Sequence, residues 1–290
     1  MRFGLYLPNL GPYADARTLA NLARDAEHAG WDGFFIWDHI AREIPINVVD
    51  PWVSLAAVAM TTATMQIGAL VTPLPRRRPW VLAKETAALD HLSGGRLIFG
   101  AGIGAGRAAE WANFGEELDA KARGQMLDEG LAILTGLWSG QPFRYAGQHY
   151  HVAASQFLPA ARQQPRIPVW IAGYWPNKAP MRRAAGWDGV FPLMQDDRLG
   201  VARVEEFAAV VGFVREQRAQ RGLSGPFDFV YRGTSGPERE QAITRAAQVA
   251  AVGATWWVEH LAPTMFGSDW LEEWPVERMH ECILQGPPRA

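Results

Sequence analysis

Short apolar runs alternate along this chain with segments whose apolar residues recur at helical spacing. Arg2–Leu7 reads as a buried strand. Asp15 then caps an expected helix that carries Leu19, Leu22, Ala23, Ala26 and Ala29 on one face and ends at Gly30. Further strands are predicted at Asp32–Trp37, Gln66–Thr72, Arg96–Ile103, Ile167–Ala172, Asp188–Leu193, Phe227–Arg232 and Ala254–His260. Helical patterns at Val53–Ala63, Val81–Leu92, Lys121–Trp138, Lys178–Ala185, Val204–Arg221 and Glu238–Val252 separate them. A hairpin-like piece, Phe143–Val152, turns at Ala146-Gly147. Apolar strands alternating with helices predict a parallel sheet covered by helices, an α/β fold.

An internal echo separates a closed barrel from an open sheet. Ala29-Gly30-Trp31-Asp32-Gly33-Phe34-Phe35 recurs as Ala185-Gly186-Trp187-Asp188-Gly189-Val190-Phe191, 156 residues later. That is four strand–helix units of about 39 residues each. A weaker third copy is Val252-Gly253-Ala254-Thr255-Trp256-Trp257. Equivalent joints before the second, sixth and eighth strands fit an eightfold repeat. The expected fold is a (β/α)8 TIM barrel with an insertion after strand four, and residues 1–290 form a single domain.

Composition narrows the function. With 48% hydrophobic and 20% charged residues, the chain can bury a large core and is not a disordered one. Its 28 basic and 30 acidic residues give no basic field to attract nucleic acid or anionic lipid. No apolar stretch approaches the roughly 18–20 residues of a membrane span. The N-terminus has no small-residue cleavage site, so no signal peptide is expected. One cysteine, Cys282, excludes an intramolecular disulfide and fits a cytoplasmic setting. Gln285–Ala290 reads as a loose tail.

In a barrel the reactive groups lie at the C-terminal strand ends. In order these are Asn9, Asp38-His39, Thr72, Gly102-Ile103-Gly104, Gly173-Tyr174-Trp175, Gln195-Asp196, Arg232 and Glu259-His260. A mouth so rich in glycine and aromatic residues suits a flat ring system. Asp38-His39 is the first candidate for proton chemistry, because a carboxylate can tune or orient a histidine. The alternative is a histidine bonded to a loop carbonyl. Glu259-His260 is a second candidate, but strand neighbours face opposite sides, so only one of them can face the mouth. Gly173–Lys178, with Arg182-Arg183 behind it, offers free helix amides and cations to a phosphate, or is a solvated turn. Arg76-Arg77-Arg78 is a solvated loop or an attractor for a polyanionic cofactor tail. His149-x-His151 sits on the hairpin, and no His-Glu-x-x-His or Gly-x-Ser-x-Gly occurs, so neither a metal site nor a serine hydrolase is expected.

Several motifs together carry a family resemblance. They are Phe3-Gly4-Leu5-Tyr6-Leu7-Pro8, Ala29-Gly30-Trp31-Asp32-Gly33, Trp37-Asp38-His39 and Gly68-Ala69-Leu70-Val71-Thr72-Pro73. They continue with Leu89-Asp90-x-Leu92-Ser93-Gly94-Gly95-Arg96, Gly100-Ala101-Gly102 and Ile167-Pro168-Val169-Trp170-Ile171-Ala172-Gly173. Over almost its whole length the chain resembles the bacterial-luciferase-like family of flavin-dependent monooxygenases and F420-dependent oxidoreductases. The resemblance implies a flavin or deazaflavin ring across the mouth, with its phosphate near strands four and five. It implies His39 as proton donor or base and Asp38 as its orienting partner. Ala69-Leu70 matches the place of a non-prolyl cis peptide behind the ring. The implied cofactor-binding residues are Ala69, Leu70, Val71, Thr72, Gly102, Ile103, Gly104, Gly173, Tyr174, Trp175 and Lys178. Where some sugar-phosphate dehydrogenases of the family carry a glutamate after the strand-four glycines, this chain has Ala105.

The resulting expectation is a cytoplasmic, homodimeric oxidoreductase or monooxygenase that uses F420 or FMN, with F420 slightly favoured. Its substrate is a small apolar or aromatic organic molecule, handled by hydride transfer or oxygen activation, with no nucleic-acid or membrane partner. The alternative is a non-catalytic flavin-binding barrel protein; a metal-dependent barrel hydrolase is more distant.

Overall fold

The computed structural model describes residues 1–106, 108–194, 203–235 and 239–289. The Gln195-Asp196 strand end and Glu238 therefore lie outside the described residues. The strands are β1 (Arg2–Leu7), β2 (Gly33–Ile36), β3 (Gln66–Ala69), β4 (Thr72–Pro73), β5 (Phe99–Gly102), β6 (Phe143–Ala146), β7 (His151–Ser155), β8 (Val169–Trp175), β9 (Gly189–Met194), β10 (Asp228–Gly233) and β11 (Trp256–His260). All but β6 and β7 join one sheet in the order β3-β2-β1-β11-β10-β9-β8-β5-β4, with parallel pairing throughout. Ile67 N–H donates to Arg96 O at 3.0 Å and Ile98 N–H to Ile67 O at 2.9 Å, which brings β3 alongside the approach to β5 and rounds the sheet into a barrel. Each of the eight expected strands finds its counterpart. The antiparallel pair β6–β7 stands apart, on the connection between β5 and β8.

The third expected strand is interrupted. It leaves the sheet at the cis peptide Leu70–Val71 and resumes as β4. Leu70 N–H still donates to Ile36 O at 2.8 Å, so sheet pairing extends through that amide. The cis bond accordingly falls one bond later than the Ala69-Leu70 position suggested by resemblance.

Among the described residues the α-helices around the barrel are α1 (Ala16–His28), α2 (Pro51–Thr61), α3 (Pro79–Leu92), α4 (Ala120–Trp138), α5 (Lys178–Ala184), α6 (Val204–Gln220), α7 (Arg239–Ala251) and α8 (Val276–Leu284). Asp15, Asp50 and Asp119 cap α1, α2 and α4 through their carboxylates. α2 and α3 begin two residues before the expected Val53 and Val81, because proline fits the first turn, where no N–H is needed. α8 was not expected, and the tail after it is not loose. Gly286, Pro287 and Pro288 are buried, and Arg239 donates to the carbonyls of Gly286 (3.2 Å) and Pro287 (2.8 Å). Trp31 Nε1 also reaches Ile283 O at 2.9 Å, which ties the end of α8 to the start of β2.

The internal echo has a single physical cause. Asp32 Oδ2 accepts from Phe3 N–H at 2.7 Å, and Asp188 Oδ2 accepts from Val169 N–H at 2.8 Å. In the third copy Thr255 Oγ1 accepts from Phe229 N–H at 2.9 Å. In each case an oxygen one residue before a strand receives an amide from the first two residues of the preceding strand. Inside the barrel the rings of Phe35, Trp170 and Trp256 pack with centroids 5.3–5.7 Å apart. A Cβ on Gly189 would come within 2.4 Å of Trp170, so the echoed glycine makes room for a ring.

Ser93-Gly94-Gly95-Arg96 also has a structural purpose. Gly94 and Gly95 take φ of +74° and +89°, a conformation that favours glycine. The turn delivers Arg96, 8% exposed, beneath the end of α2. There it donates to the carbonyls of Ala59, Thr62, Met65 and Ser93 and to Thr62 Oγ1, all at 2.6–3.0 Å. The carbonyls of Ala59 and Thr62 close α2, where acceptors otherwise lack donors. Arg96→Met keeps the length and removes the donors, and it is expected to cost about 3 kcal/mol. Urea unfolding measures this; a loss below about 1 kcal/mol would deny Arg96 its strut role.

Candidate active site

The C-terminal strand ends surround a cavity of about 770 Å³. One side is built by Tyr6, Trp37, His39, His260 and Trp270, the other by Leu70, Val71, Gly102–Ala105 and Ala172–Tyr174. It continues outward between the first turns of α4, at Lys121 and Gln125, and α5, at Asn177 and Arg183. Of the expected site residues, Asp38, His39, Leu70, Val71, Gly102, Ile103, Gly104, Gly173 and Tyr174 line this space.

Ala69, Thr72, Trp175 and Lys178 do not. Ala69 and Thr72 are wholly buried within the sheet. Lys178 lays its Nζ 3.3 Å from the centroid of the Trp175 ring and 4.6 Å from that of Phe213, so ring faces hold the cation outside the cavity. Gly173 is required by packing: a Cβ there would stand 2.2 Å from Pro180 of α5. Asn177 accepts from Ala179 N–H at 3.1 Å and caps α5.

The Asp38-His39 pair is brought to the mouth, but its members do not serve each other. Consecutive residues of an extended segment point apart. His39 Nδ1 lies 3.0 Å from both carboxylate oxygens of Glu110. Asp38 instead accepts from Arg76 Nη2 at 2.9 Å and Arg77 Nη2 at 2.8 Å. Arg76 extends its other nitrogen to Glu110 at 2.9 Å, so one guanidinium bridges both acids. The side chains of Arg76, Asp38 and Glu110 are at most 4% exposed. Two members of the arginine run are thus inward-facing ties, while Arg78 precedes α3. Asn9, the strand-one end, exchanges hydrogen bonds with the His39 backbone at 2.9 and 3.3 Å and fixes the loop.

Glu110 was not singled out in the sequence. It ends a 3-10 turn, Ala108–Glu110, seated by buried Trp111. Arg123 stacks on Trp111 at 4.6 Å and donates to the carbonyls of Ile103 and Gly104, which fastens this loop to the end of β5. Burial alone would push the Glu110 carboxyl up. The hydrogen bond and charge of His39, the Ile40 amide and the Arg76 charge outweigh it and hold the group down to about 2. An ionised carboxylate only accepts, so His39 Nδ1 carries the hydrogen and Nε2 is the nitrogen left for the cavity.

At the other candidate pair only His260 lines the cavity. Glu259 points the other way and accepts from Ser235 N–H (2.6 Å), Ser235 Oγ (2.8 Å) and Trp257 Nε1 (2.8 Å). Burial pushes its carboxyl up despite those donors. Among the described residues no three His, Cys, Asp or Glu side chains gather as metal ligands, and no helix is long and apolar enough to cross a membrane.

Comparison with known proteins agrees with this architecture. A family model described as luciferase-like monooxygenase matches residues 1–267. The chain is 30% identical over 186 residues to the F420-dependent glucose-6-phosphate dehydrogenase of Gordonia bronchialis, covering 59% of this chain and 52% of that protein. It is 28% identical over 184 residues to the oxygenase component of the flavin-dependent trigonelline monooxygenase of Acinetobacter baylyi, covering 61% and 50%. These two matches span about half the length of either relative. The coenzyme F420 dependent tetrahydromethanopterin reductase of Methanopyrus kandleri shares the fold, with a TM-score of 0.75 at 16% identity over 99% of this chain and 98% of that one.

The depressed Glu110 carboxyl gives a pH signature. Its stabilising contribution is complete above the ordinary carboxylate range and is lost as pH falls toward about 2. Glu110→Gln lacks that contribution. The stability gap between wild type and variant, from urea unfolding at successive pH values, should therefore close below about pH 4.5. A gap that stays constant into acid would mean that the carboxylate charge is not what stabilises the mouth.

Proposed function

The chain belongs to the luciferase-like monooxygenase family, and from that premise we propose that it is an oxidoreductase that uses F420 or FMN to transform a small apolar or aromatic organic substrate. The relatives named above are enzymes, so the non-catalytic alternative is not favoured. F420 is taken slightly ahead of FMN, on the Trp37-Asp38-His39 match in the sequence. The whole chain acts as one barrel domain, and a cytoplasmic setting accords with the single unpaired Cys282.

The observation that carries this reading is a histidine held by a buried carboxylate beside a wall with little side-chain bulk. Gly102, Gly104, Ala105, Ala172 and Gly173 leave that wall open to a flat ring. Asp38 Oδ2 is buried on the cavity lining with no donor of its own, an acceptor suited to the N–H of a flavin or deazaflavin ring. The residues present therefore fit such a group. Lys121, Gln125 and Asn177, where the cavity runs out between α4 and α5, would hold its phosphate, while Arg183 beside them is paired with Asp128. When bound, the cofactor supplies the two-electron chemistry, with oxygen activation open to FMN.

The protein's part is orientation and proton handling. Glu110 fixes the His39 ring from behind through Nδ1. Nε2 can then take a proton from the substrate or return one. Arg76 keeps Glu110 ionised through that exchange, because its charge opposes protonation of the acid. The Trp37 ring packs edge-on against His39 with centroids 5.6 Å apart.

We extend the reading to a homodimer. Val53 and Met60, 62% and 70% exposed, lie two turns apart on the outer face of α2, with Val81 of α3 also exposed. α2 is apolar on every side, and a second copy is the occupant its outer face suits. Light scattering on the eluting protein should give twice the chain mass, falling to one chain in Met60→Glu; a monomeric wild type ends this extension.

Titration with F420 and with FMN, followed by turnover of the reduced cofactor in air or with an added acceptor, tests the main proposal. Binding of neither would sink it. His39→Ala should leave fold and cofactor affinity near native and lower turnover by about 10²–10⁴. Undiminished turnover would leave His39 a purely structural residue.

A further inference from the structure

The two sides of the cavity differ in chemistry. Its aliphatic side chains, Leu70, Val71, Ile103 and Leu193, come from the region of β3, β5 and β9. Trp111 and Tyr174 are the rings on that side, whereas the opposite side is a cluster of touching rings with Trp37 as its hub. The Trp37 ring stands 5.7 Å from Tyr6, 5.6 Å from His39, 5.7 Å from His260 and 5.5 Å from Trp270, centroid to centroid. All five rings face the cavity.

These rings cannot collapse inward. Tyr6 rests edge-on against Phe191 at 5.5 Å, over the filled interior of the barrel. Trp270 comes from the segment that follows β11 and its terminal His260. It is held by Trp274, whose ring lies 5.4 Å away and whose Nε1 donates to Trp270 O at 3.3 Å. Trp37 Nε1 is buried without an acceptor, so the aromatic side also offers one N–H to a ligand oxygen.

We infer that this side of the cavity is a slot for a planar aromatic substrate, and that Trp270 determines the preference. An aliphatic molecule gains only burial there. A flat ring also gains offset and edge contacts with several π systems. The guanidinium of Arg42 already lies 5.4 Å from the centroid of the Trp270 ring, so the slot is not a cage for a cation. The ligand class is a neutral or anionic aromatic ring bearing an oxygen. This rests on the proposed reading only in taking the cavity for the active centre; it does not depend on which cofactor binds.

The test compares 1-naphthol with decahydro-1-naphthol, which share a carbon skeleton and a hydroxyl but differ in flatness. The two are of similar overall hydrophobicity, so simple burial would not separate them strongly. Calorimetric titration of the full chain, first without cofactor, should give at least tenfold tighter binding of 1-naphthol. Trp270→Leu should erase most of that preference, and Trp270→Phe should retain it. Equal or tighter binding of the saturated alcohol overturns the inference. So does a preference undiminished in Trp270→Leu, which would put the naphthol elsewhere on the protein. Failure of both F420 and FMN to bind would count against the cofactor reading while the naphthol preference stands or falls by itself.

Discussion

Two buried carboxylates, Asp38 and Glu110, share the guanidinium of Arg76, and the mouth of the barrel is organised around that sharing. Burying either acid alone would carry a desolvation cost of several kcal/mol. Arg76 and Arg77 supply two positive charges against the two negative ones. The bonds also join three separate chain segments: the loop after β2, the turn after β4 and the loop after β5. No one of these could shift without leaving a charge unpaired in the interior. The histidine at the cavity is thus positioned by the connectivity of a whole cluster.

The strand–helix rhythm and the echo were legible because both arise from local demands. An oxygen before a strand receives a neighbouring amide, and a glycine after it clears space for a ring. Those demands repeat in sequence wherever they repeat in space. That Leu70 and Val71 line the cavity while Ala69 and Thr72 stay buried in the sheet has the opposite character. It depends on where the third strand breaks, and Leu70 decides that by keeping its bond to Ile36.

Charged residues were harder to read. The arginine run has the composition of a solvated loop, yet two of its members turn inward because two acids wait there. Lys178, expected at an anion, rests its ammonium on the rings of Trp175 and Phe213. Glu110 stands 71 residues from His39, on a loop with no periodicity, so only the closed barrel brings them together. Ala105 drew attention to a missing carboxylate directly after the glycines. The acid that serves this mouth comes five residues later, where Trp111 and Arg123 seat the turn that bears it.

That arrangement separates two properties that many active sites keep together. His39 follows a barrel strand and inherits the rigidity of the sheet. Its partner acid is carried on the connection after β5, outside the strands of the barrel. Natural variation or laboratory recombination in residues 103–119 could exchange the group behind the histidine as a module. The proton affinity of the centre would then be retuned without redesign of the scaffold.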